Sequence, residues 1–388
     1  MRAPIRVLHS VGHLSRGGIE NWLFQLASRM DRSRFEHHVL VRTDKEEAFT
    51  RAFREAGIPV IPCLGVKSPL QFYRNFKQIV RDYGPYEVLH AHGFSFLTTQ
   101  ALLFAKLQGI RVRILHGHNN LKPRLAQSSF AYKSYVALNL LAIRKLANRG
   151  IACGSSAAEW TFGNKWKSHQ PSVDLIIGID MERCFSRADP ELRTRLHLPS
   201  DRLIIAQIGR YGMAKNHVFT VEIARELARR NFPFHLLLIG DGILRPNIEK
   251  LMEIAGLSNR CTFVPDTDQV PEILRSAVDL QILPSIHEGL GLVLVEAQAS
   301  GVPSLVSDAV TREGVINKGL IRFLPIDEGP GVWADAIAEQ LASGTKVAVD
   351  TQHRKRMLAS RFNIQNSVQQ LSRLYEDLVR GGMTAKET

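Results

Sequence analysis

A chain of 388 residues is too long for one ordinary hydrophobic core and comfortable for two domains of middling size. With 45% hydrophobic and 22% charged residues it has the balance of a soluble globular protein, not of a disordered or fibrous one, and no apolar run approaches the ~20 residues of a membrane span. The formal charge of +13 belongs wholly to the first half: residues 1–180 carry 25 Lys+Arg against 12 Asp+Glu, whereas residues 181–388 carry 25 of each.

From Ile5 to Gly12 the chain reads as a near-continuous apolar strand of the kind buried in a parallel sheet. It starts there directly, with no signal-peptide core. Gly17 and Gly18 then open a helix whose apolar face includes Ile19, Trp22, Leu23 and Leu26. Small residues at such a strand-to-helix junction either let a phosphate or acceptor approach the backbone or simply allow a tight turn. Strands follow at Val39–Val41 and Pro59–Ile61, a helix at Leu70–Arg81, a strand at Glu87–His92, a helix through Phe104 and a strand at Val112–His118. That alternation predicts a doubly wound sheet, whose ligands gather at the carboxyl ends of its strands.

Two of those ends, VLHAHG and RILHGHN, place His90 with His92 and His116 with His118 at spacing two, so each pair shares a face of its strand. They fit either metal ligands, as in a metal-dependent hydrolase, or polar groups at the mouth of a substrate site. No clear set of further ligands stands at the later strand ends. His90 reads as packed in the sheet. Helix Tyr132–Leu146 reads as a core helix, with a membrane-touching face as the alternative. The strand GIACG, a helix from Ala157 and a strand Leu175–Ile179 close this half. The polar segment Ser186–Asp201, with Pro190 and Pro199, reads as a hinge.

In the second half, LIIAQIGRYGMAKNH ends a strand at Gly209 and sets Arg210 and Lys215 in the loop before helix Val218–Arg230. Two cations at a strand's carboxyl edge suit a diphosphate, Arg as a fork of donors and Lys as a mobile point charge. LLLIGDG ends the next strand at a turn containing Gly240, and TFVPDTDQVPEIL carries Val270 into a helix. The stretch PSIHEGLGLVLVEAQASGVPSLVSD follows strand Leu280–Leu283. Its glycine-bearing loop and helix start offer unpaired N–H groups and a positive dipole end to an anion. Glu288 stands in the loop, and Glu296 one to two turns into the helix. Strand Ile321–Leu324, helix Val332–Leu341 and an amphipathic helix Ser367–Val379 complete the chain. The four cysteines, Cys63, Cys153, Cys184 and Cys261, form no metal-type or redox-type pair and read as reduced thiols of a cytoplasmic protein.

The pattern PSxxEGxGLxxxEAxASGxP, with GRxxxxKxH before it and GGxE after the first strand, resembles the signatures of glycosyltransferase family 4, retaining enzymes of the two-domain GT-B fold. This resemblance implies two Rossmann-like doubly wound domains facing a central cleft, an acceptor domain at 1–185 and a nucleotide-sugar domain at 186–365. A crossover helix and tail at 366–388 would return to the first domain. GIDMERC would be the interdomain bridge, although the asparagine that usually precedes it is absent.

The resemblance implies that Glu288 contacts the transferred sugar, Glu296 the ribose, and Arg210 and Lys215 the leaving diphosphate. Gly17, Gly18, Gly240, Val270, Gly289, Leu290 and Gly291 would complete the donor seat, with His118 facing the reacting sugar and His92 and His116 on the acceptor side. No metal and no cofactor are implied. The expected activity is transfer from a nucleoside-diphosphate sugar, UDP favoured over GDP, to a saccharide acceptor. EAQASGVPSLVSD with Trp333 resembles the bacterial exopolysaccharide branch, which implies a lipid-linked acceptor at the inner face of the membrane. The basic half suits an anionic membrane surface, an anionic substrate or plain solvent. Nucleic acid is disfavoured, because no helix-turn-helix, zinc-finger or RNP-type motif is present. Alternatives are a GT-B nucleotide-sugar epimerase and the histidine-pair hydrolase, whereas a dinucleotide-dependent dehydrogenase lacks its GxGxxG turn.

Overall fold

The computed structural model describes residues 3–15, 17–118, 120, 125, 128–163, 172–174, 177–342, 344 and 346–381. The chain forms two compact units, one of residues 1–178 and 364–388, the other of residues 179–363.

The first unit holds a seven-stranded sheet of order β3-β2-β1-β4-β5-β6-β7. Its strands are β1 Ile5–Ser10, β2 Phe35–Val41, β3 Val60–Pro62, β4 Val88–His92, β5 Val112–Gly117, β6 Arg149–Ala152 and β7 Ser172–Asp174, all parallel. The second unit holds a six-stranded parallel sheet, β10-β9-β8-β11-β12-β13. Here the strands are β8 Leu203–Ile208, β9 Phe234–Ile239, β10 Cys261–Val264, β11 Leu280–Leu283, β12 Ser304–Ser307 and β13 Ile321–Leu324. Both are the α/β doubly wound sheets that the alternation predicted. In each, the strand order reverses once, between β1 and β4 and between β8 and β11, and such a reversal leaves a crevice at the carboxyl ends.

Successive residues of a strand point to opposite faces, so a sheet covered on both sides must be apolar at every position. The second sheet follows this rule at most positions, with buried Gln207, His235, Gln281, Ser304 and Ser307 as polar exceptions. Ile205, Leu236 and Leu238 pack into one core with Phe219 and Trp333, while Ile204, Ala206, Leu237 and Ile239 pack into another with Ile273 and Leu294. The first sheet obeys it on one face only, where Leu8, Leu40, Leu89, Ala91 and Leu115 meet Phe72, Phe76 and Phe104. Its other face carries His9, His37, His90, His92 and His116, all buried, with His118 just past β5.

Several expected bounds shift. The strand expected at Val39 starts at Phe35, and a helix at Ala48–Glu55 was not foreseen. Of the strand expected at Leu175–Ile179, residues 175 and 176 lie outside the described set, as do residues 382–388 of the expected tail, and Ile179 forms only an isolated bridge with Asn363. The chain passes between units at Gly178–Ile179, ahead of the boundary expected at 185, and returns at Ile364. Segment Ser186–Asp201 belongs to the second unit: Leu192 and Leu198 are buried in its core, and Arg193 pairs with Asp279 at 2.6 Å. Helix Ile364–Arg380 returns to the first unit and packs against β1 and helix Gly18–Arg29, with Tyr375 and Leu371 buried.

Candidate active site

At the strand-order reversal of the second sheet, the loops after β8 and β11 are tied together. The Ile286 N–H donates to the Ala214 carbonyl at 2.9 Å, and the Lys215 ammonium meets Glu288 Oε1 at 2.7 Å. That carboxylate oxygen also accepts from the Ser285 hydroxyl at 2.7 Å. Only about a sixth of the Lys215 side chain and a ninth of the Glu288 side chain are exposed (18% and 11%), so the pair is shielded from bulk water. Buried Gln207 braces the first loop, donating to the Lys215 carbonyl at 2.7 Å and accepting from the Thr220 hydroxyl at 2.6 Å.

Glycine shapes this corner for a stated reason. Gly209 has φ +143°, and a Cβ there would meet Lys215 Cε at 2.5 Å, so the lysine chain lies across a backbone that only glycine leaves bare. Gly240, at the end of β9, has φ +142°, and its Cβ would collide with the Gly209 carbonyl at 2.3 Å. Arg210 is exposed beside this turn. Gly289, Leu290 and Gly291 lead into helix Leu292–Ala299, with Gly291 as its N-cap. His217 stacks on Tyr211 at 4.2 Å, and burial, reinforced by the Lys215 charge, lowers its imidazole to about 4. It is therefore a neutral packing group at neutral pH. Val270 starts helix Val270–Ser276 and packs partly against the core.

Glu296 lies half-buried on helix Leu292–Ala299. Burial pushes its carboxyl up to about 7, against the pull of Arg183 and Lys215, and Glu272 adds to the rise. Arg183 is itself held by a fork to Glu272, with contacts of 3.0 and 3.1 Å. Arg183 was missed in the sequence because its partner Glu272 lies 89 residues away, whereas Ser285 stood within the PSxxEG pattern without a role of its own.

Gly17, Gly18, His92, His116 and His118 belong to the first unit. Gly17 is the N-cap of helix Gly18–Arg29 with φ −169°, an extended conformation open to any residue. The histidines form hydrogen-bonded chains. His37 Nδ1 meets His9 Nε2 at 2.9 Å, His9 Nδ1 meets His92 Nε2 at 3.2 Å, and His92 Nδ1 meets His118 Nε2 at 3.1 Å. A second chain runs from the Tyr375 hydroxyl through His90 Nδ1 at 2.6 Å, and from His90 Nε2 to His116 Nδ1 at 3.2 Å. Burial lowers all six imidazoles, His118 to about 3, so the layer is neutral at working pH. His90 is packed within the sheet as expected. His9, His37 and Tyr375 were not foreseen; the one signal was the spacing of His9 in IRVLHS, which puts it in phase with β4.

Two doubly wound parallel sheets, each with one strand-order reversal, are the architecture of the GT-B fold. Residues 16–163 match the family model described as Glycosyltransferase Family 4, and residues 188–357 match that of Glycosyl transferases group 1. EpsF of Bacillus subtilis (strain 168), named as a glycosyltransferase, is 33% identical over 347 residues, covering 87% of this chain and 88% of that one. The chain therefore belongs to glycosyltransferase family 4, and it is a transferase. Among solved structures, HepE of Anabaena, in complex with UDP, superposes with a TM-score of 0.74 at 18% identity over 97% of this chain and all of that one. A glycosyltransferase from Rickettsia africae ESF-5 gives 0.77 at 17% identity, over 98% of this chain and all of that one. Both share the fold.

Proposed function

We propose that this glycosyltransferase works with retention, moving a sugar from a UDP-sugar to a lipid-linked saccharide during assembly of a bacterial polysaccharide. The observation that carries the donor assignment is the Lys215–Glu288 pair at the reversal of the second sheet. Cleaving the anomeric bond builds positive character on the sugar ring and negative charge on the departing diphosphate. Fixed cations and helix-terminal N–H groups lower the barrier by meeting charge where it develops. Lys215, Arg210 and the N–H groups at Gly289–Gly291 take that role in place of a metal ion. Glu288, one salt bridge from the diphosphate lysine, faces the sugar, and Glu296 accepts from the ribose hydroxyls. His118 contacts the sugar as a neutral imidazole. Uridine is favoured because HepE, of the same fold, holds UDP and, in another crystal, UDP-glucose.

The acceptor side falls to the first unit, where all the excess positive charge lies. Helix Phe130–Leu146 exposes Phe130, Leu138 and Leu141 together with Lys133 and Lys145, and the adjoining helix Phe96–Leu107 exposes Leu107. Apolar side chains among cations suit the surface of an anionic bilayer, where a lipid-linked acceptor would be met. No described helix is long and apolar enough to cross a membrane. The donor test is a thermal shift: UDP should raise the melting temperature at concentrations where GDP and ADP do not, because a ligand of the native state stabilises it. Equal shifts from all three would remove the uridine assignment. Incubation with UDP-sugar alone should leave the sugar unchanged, and an isomerised sugar would support the epimerase alternative instead.

A further inference from the structure

The histidine layer of the first unit leaves a chemical remainder beyond the sugar contact proposed for His118. His116 is fully buried, its Nδ1 engaged by His90, and its Nε2 has no protein partner. His118 is 5% exposed and has an unpartnered Nδ1. A buried ring nitrogen without a partner is destabilising, so an arrangement that supplies one is favoured. One nitrogen from each of His92, His116 and His118 lies within 4.8 Å of the other two. Tetrahedral zinc with Zn–N bonds of about 2.0–2.1 Å separates its ligand nitrogens by about 3.3 Å, close to the 3.1 Å between His92 Nδ1 and His118 Nε2.

We propose that His92 Nδ1, His116 Nε2 and His118 Nε2 bind one divalent transition-metal ion of the zinc class, with its fourth position open to a small ligand. The proton positions agree with this assignment. A neutral imidazole that binds metal through one nitrogen carries its hydrogen on the other, and a second group usually accepts that N–H and fixes the ring. With the metal in place, His92 Nε2–H donates to His9 Nδ1, and His9 Nε2–H donates in turn to His37 Nδ1. His116 Nδ1–H donates to His90 Nε2, and His90 Nδ1–H donates to the Tyr375 hydroxyl. Every hydrogen bond of the two chains survives except the one between His92 and His118, which the metal replaces. Each ring keeps one proton, so binding releases none. His118 is left with its hydrogen on Nδ1.

A competing trio exists. His9, His90 and His92 also bring one nitrogen each within 4.8 Å. Metal there would draw on His90, whose two nitrogens are already engaged by Tyr375 and His116, and would leave His116 Nε2 without a partner. The His92–His116–His118 trio instead satisfies the orphaned nitrogen and adds His118, 5% exposed, to His92 at 6%. Imidazole donors favour zinc, copper, nickel and iron over magnesium or calcium. The site lies in the first unit and does not depend on the donor assignment made for the second.

The test uses the full chain, stripped with a chelator and titrated with Zn²⁺ by calorimetry, and with Co²⁺ followed by its visible absorption. The expected result is one equivalent bound per chain, with Co²⁺ showing the intense bands of a tetrahedral site. His116→Gln and His118→Gln should each weaken binding by more than 100-fold. His9→Leu, which removes only the acceptor behind His92, should weaken it by about 10–100-fold. Far-ultraviolet circular dichroism and the melting temperature identify any variant that fails to fold. For that case X-ray absorption of the zinc-loaded wild type decides, with three imidazole nitrogens at about 2.0–2.1 Å expected. No binding by the wild type would overturn the proposal. So would fewer than three imidazoles around the ion, or binding that folded His116→Gln and His118→Gln retain, which would place the metal on exposed histidines such as His13.

Discussion

Replacing Glu296 with glutamine should stabilise the ligand-free second unit above neutral pH and weaken its hold on the donor. The carboxyl of Glu296 is raised from 4.5 to about 7, chiefly by burial. Between those values the folded chain holds a proton that the unfolded chain has released. Stability therefore falls as pH rises through that window: the deficit is absent below 4.5 and complete above about 7. At 1.36 kcal/mol for each pH unit the full interval amounts to about 3 kcal/mol, an upper figure because the side chain keeps some contact with solvent. Glutamine fills the same volume without a charge to desolvate. For a unit of this size each kcal/mol is worth roughly 2–4 °C, so Glu296→Gln should melt about 5–10 °C above wild type at pH 8, with the gap closing by pH 4. Calorimetry across that range measures it. With UDP present the gap should narrow or close, because a charged acceptor to the ribose is worth about 1.5–3 kcal/mol and the variant lacks it. A gap that does not change with pH, or a variant less stable than wild type at pH 8 without ligand, would refute the reasoning.

Other outcomes follow from the same geometry. Lys215→Ala should lower kcat/KM by about 10²–10³-fold, the scale of losing one fixed donor to a developing anion, with the circular dichroism spectrum unchanged; full activity would remove the diphosphate assignment. Gly240→Ala should damage UDP affinity more than Gly209→Ala, since the new methyl meets the Gly209 carbonyl at 2.3 Å in one case and the movable end of Lys215 at 2.5 Å in the other. Equal affinities, measured by titration calorimetry, would show that the two loops do not need that contact. Leu138→Ser combined with Leu141→Ser should reduce sedimentation with anionic vesicles at low salt while leaving UDP binding intact, and unchanged sedimentation would locate any membrane contact elsewhere.

The loops after β8 and β11 were legible as a candidate site because their residue pattern is local. Gly209, Lys215, Glu288 and Gly291 lie at strand ends where the sequence changes from apolar run to turn residues, and a strand end in a parallel sheet is a binding position by topology. The raised carboxyl of Glu296 was not legible, since it depends on burial beneath residues from distant segments and on Arg183. Segment Ser186–Asp201 misled for a related reason. Its prolines and charges have the composition of a linker, yet two leucines, Leu192 and Leu198, suffice to seat it on the second core. Composition reports average solvation, whereas packing is decided by single side chains.

The two sheets share one topology and use it differently, and the difference lies in alternation. In the second sheet both sets of alternating side chains are largely apolar, and its buried polar residues are braces: Gln207 holds the Lys215 carbonyl of the loop after β8, and Gln281 accepts from the Ser304 hydroxyl of the neighbouring strand. In the first sheet one set is largely apolar and the other mixes imidazoles with Val7, Val39, Val88 and Ile114. Registers that pair His9 with His90 and His92 with His116 turn isolated pairs into a continuous layer. No pair of histidines read along one strand reveals that layer, because it is made by lateral register among four strands. A neutral imidazole donates and accepts once, so a row of them can satisfy itself only as a directed chain, and a directed chain must end. The layer's unpartnered nitrogens, on His37, His116 and His118, are those ends. Their number follows from hydrogen-bond arithmetic, and their position at the carboxyl edge, in the case of His118, follows from the direction of β5.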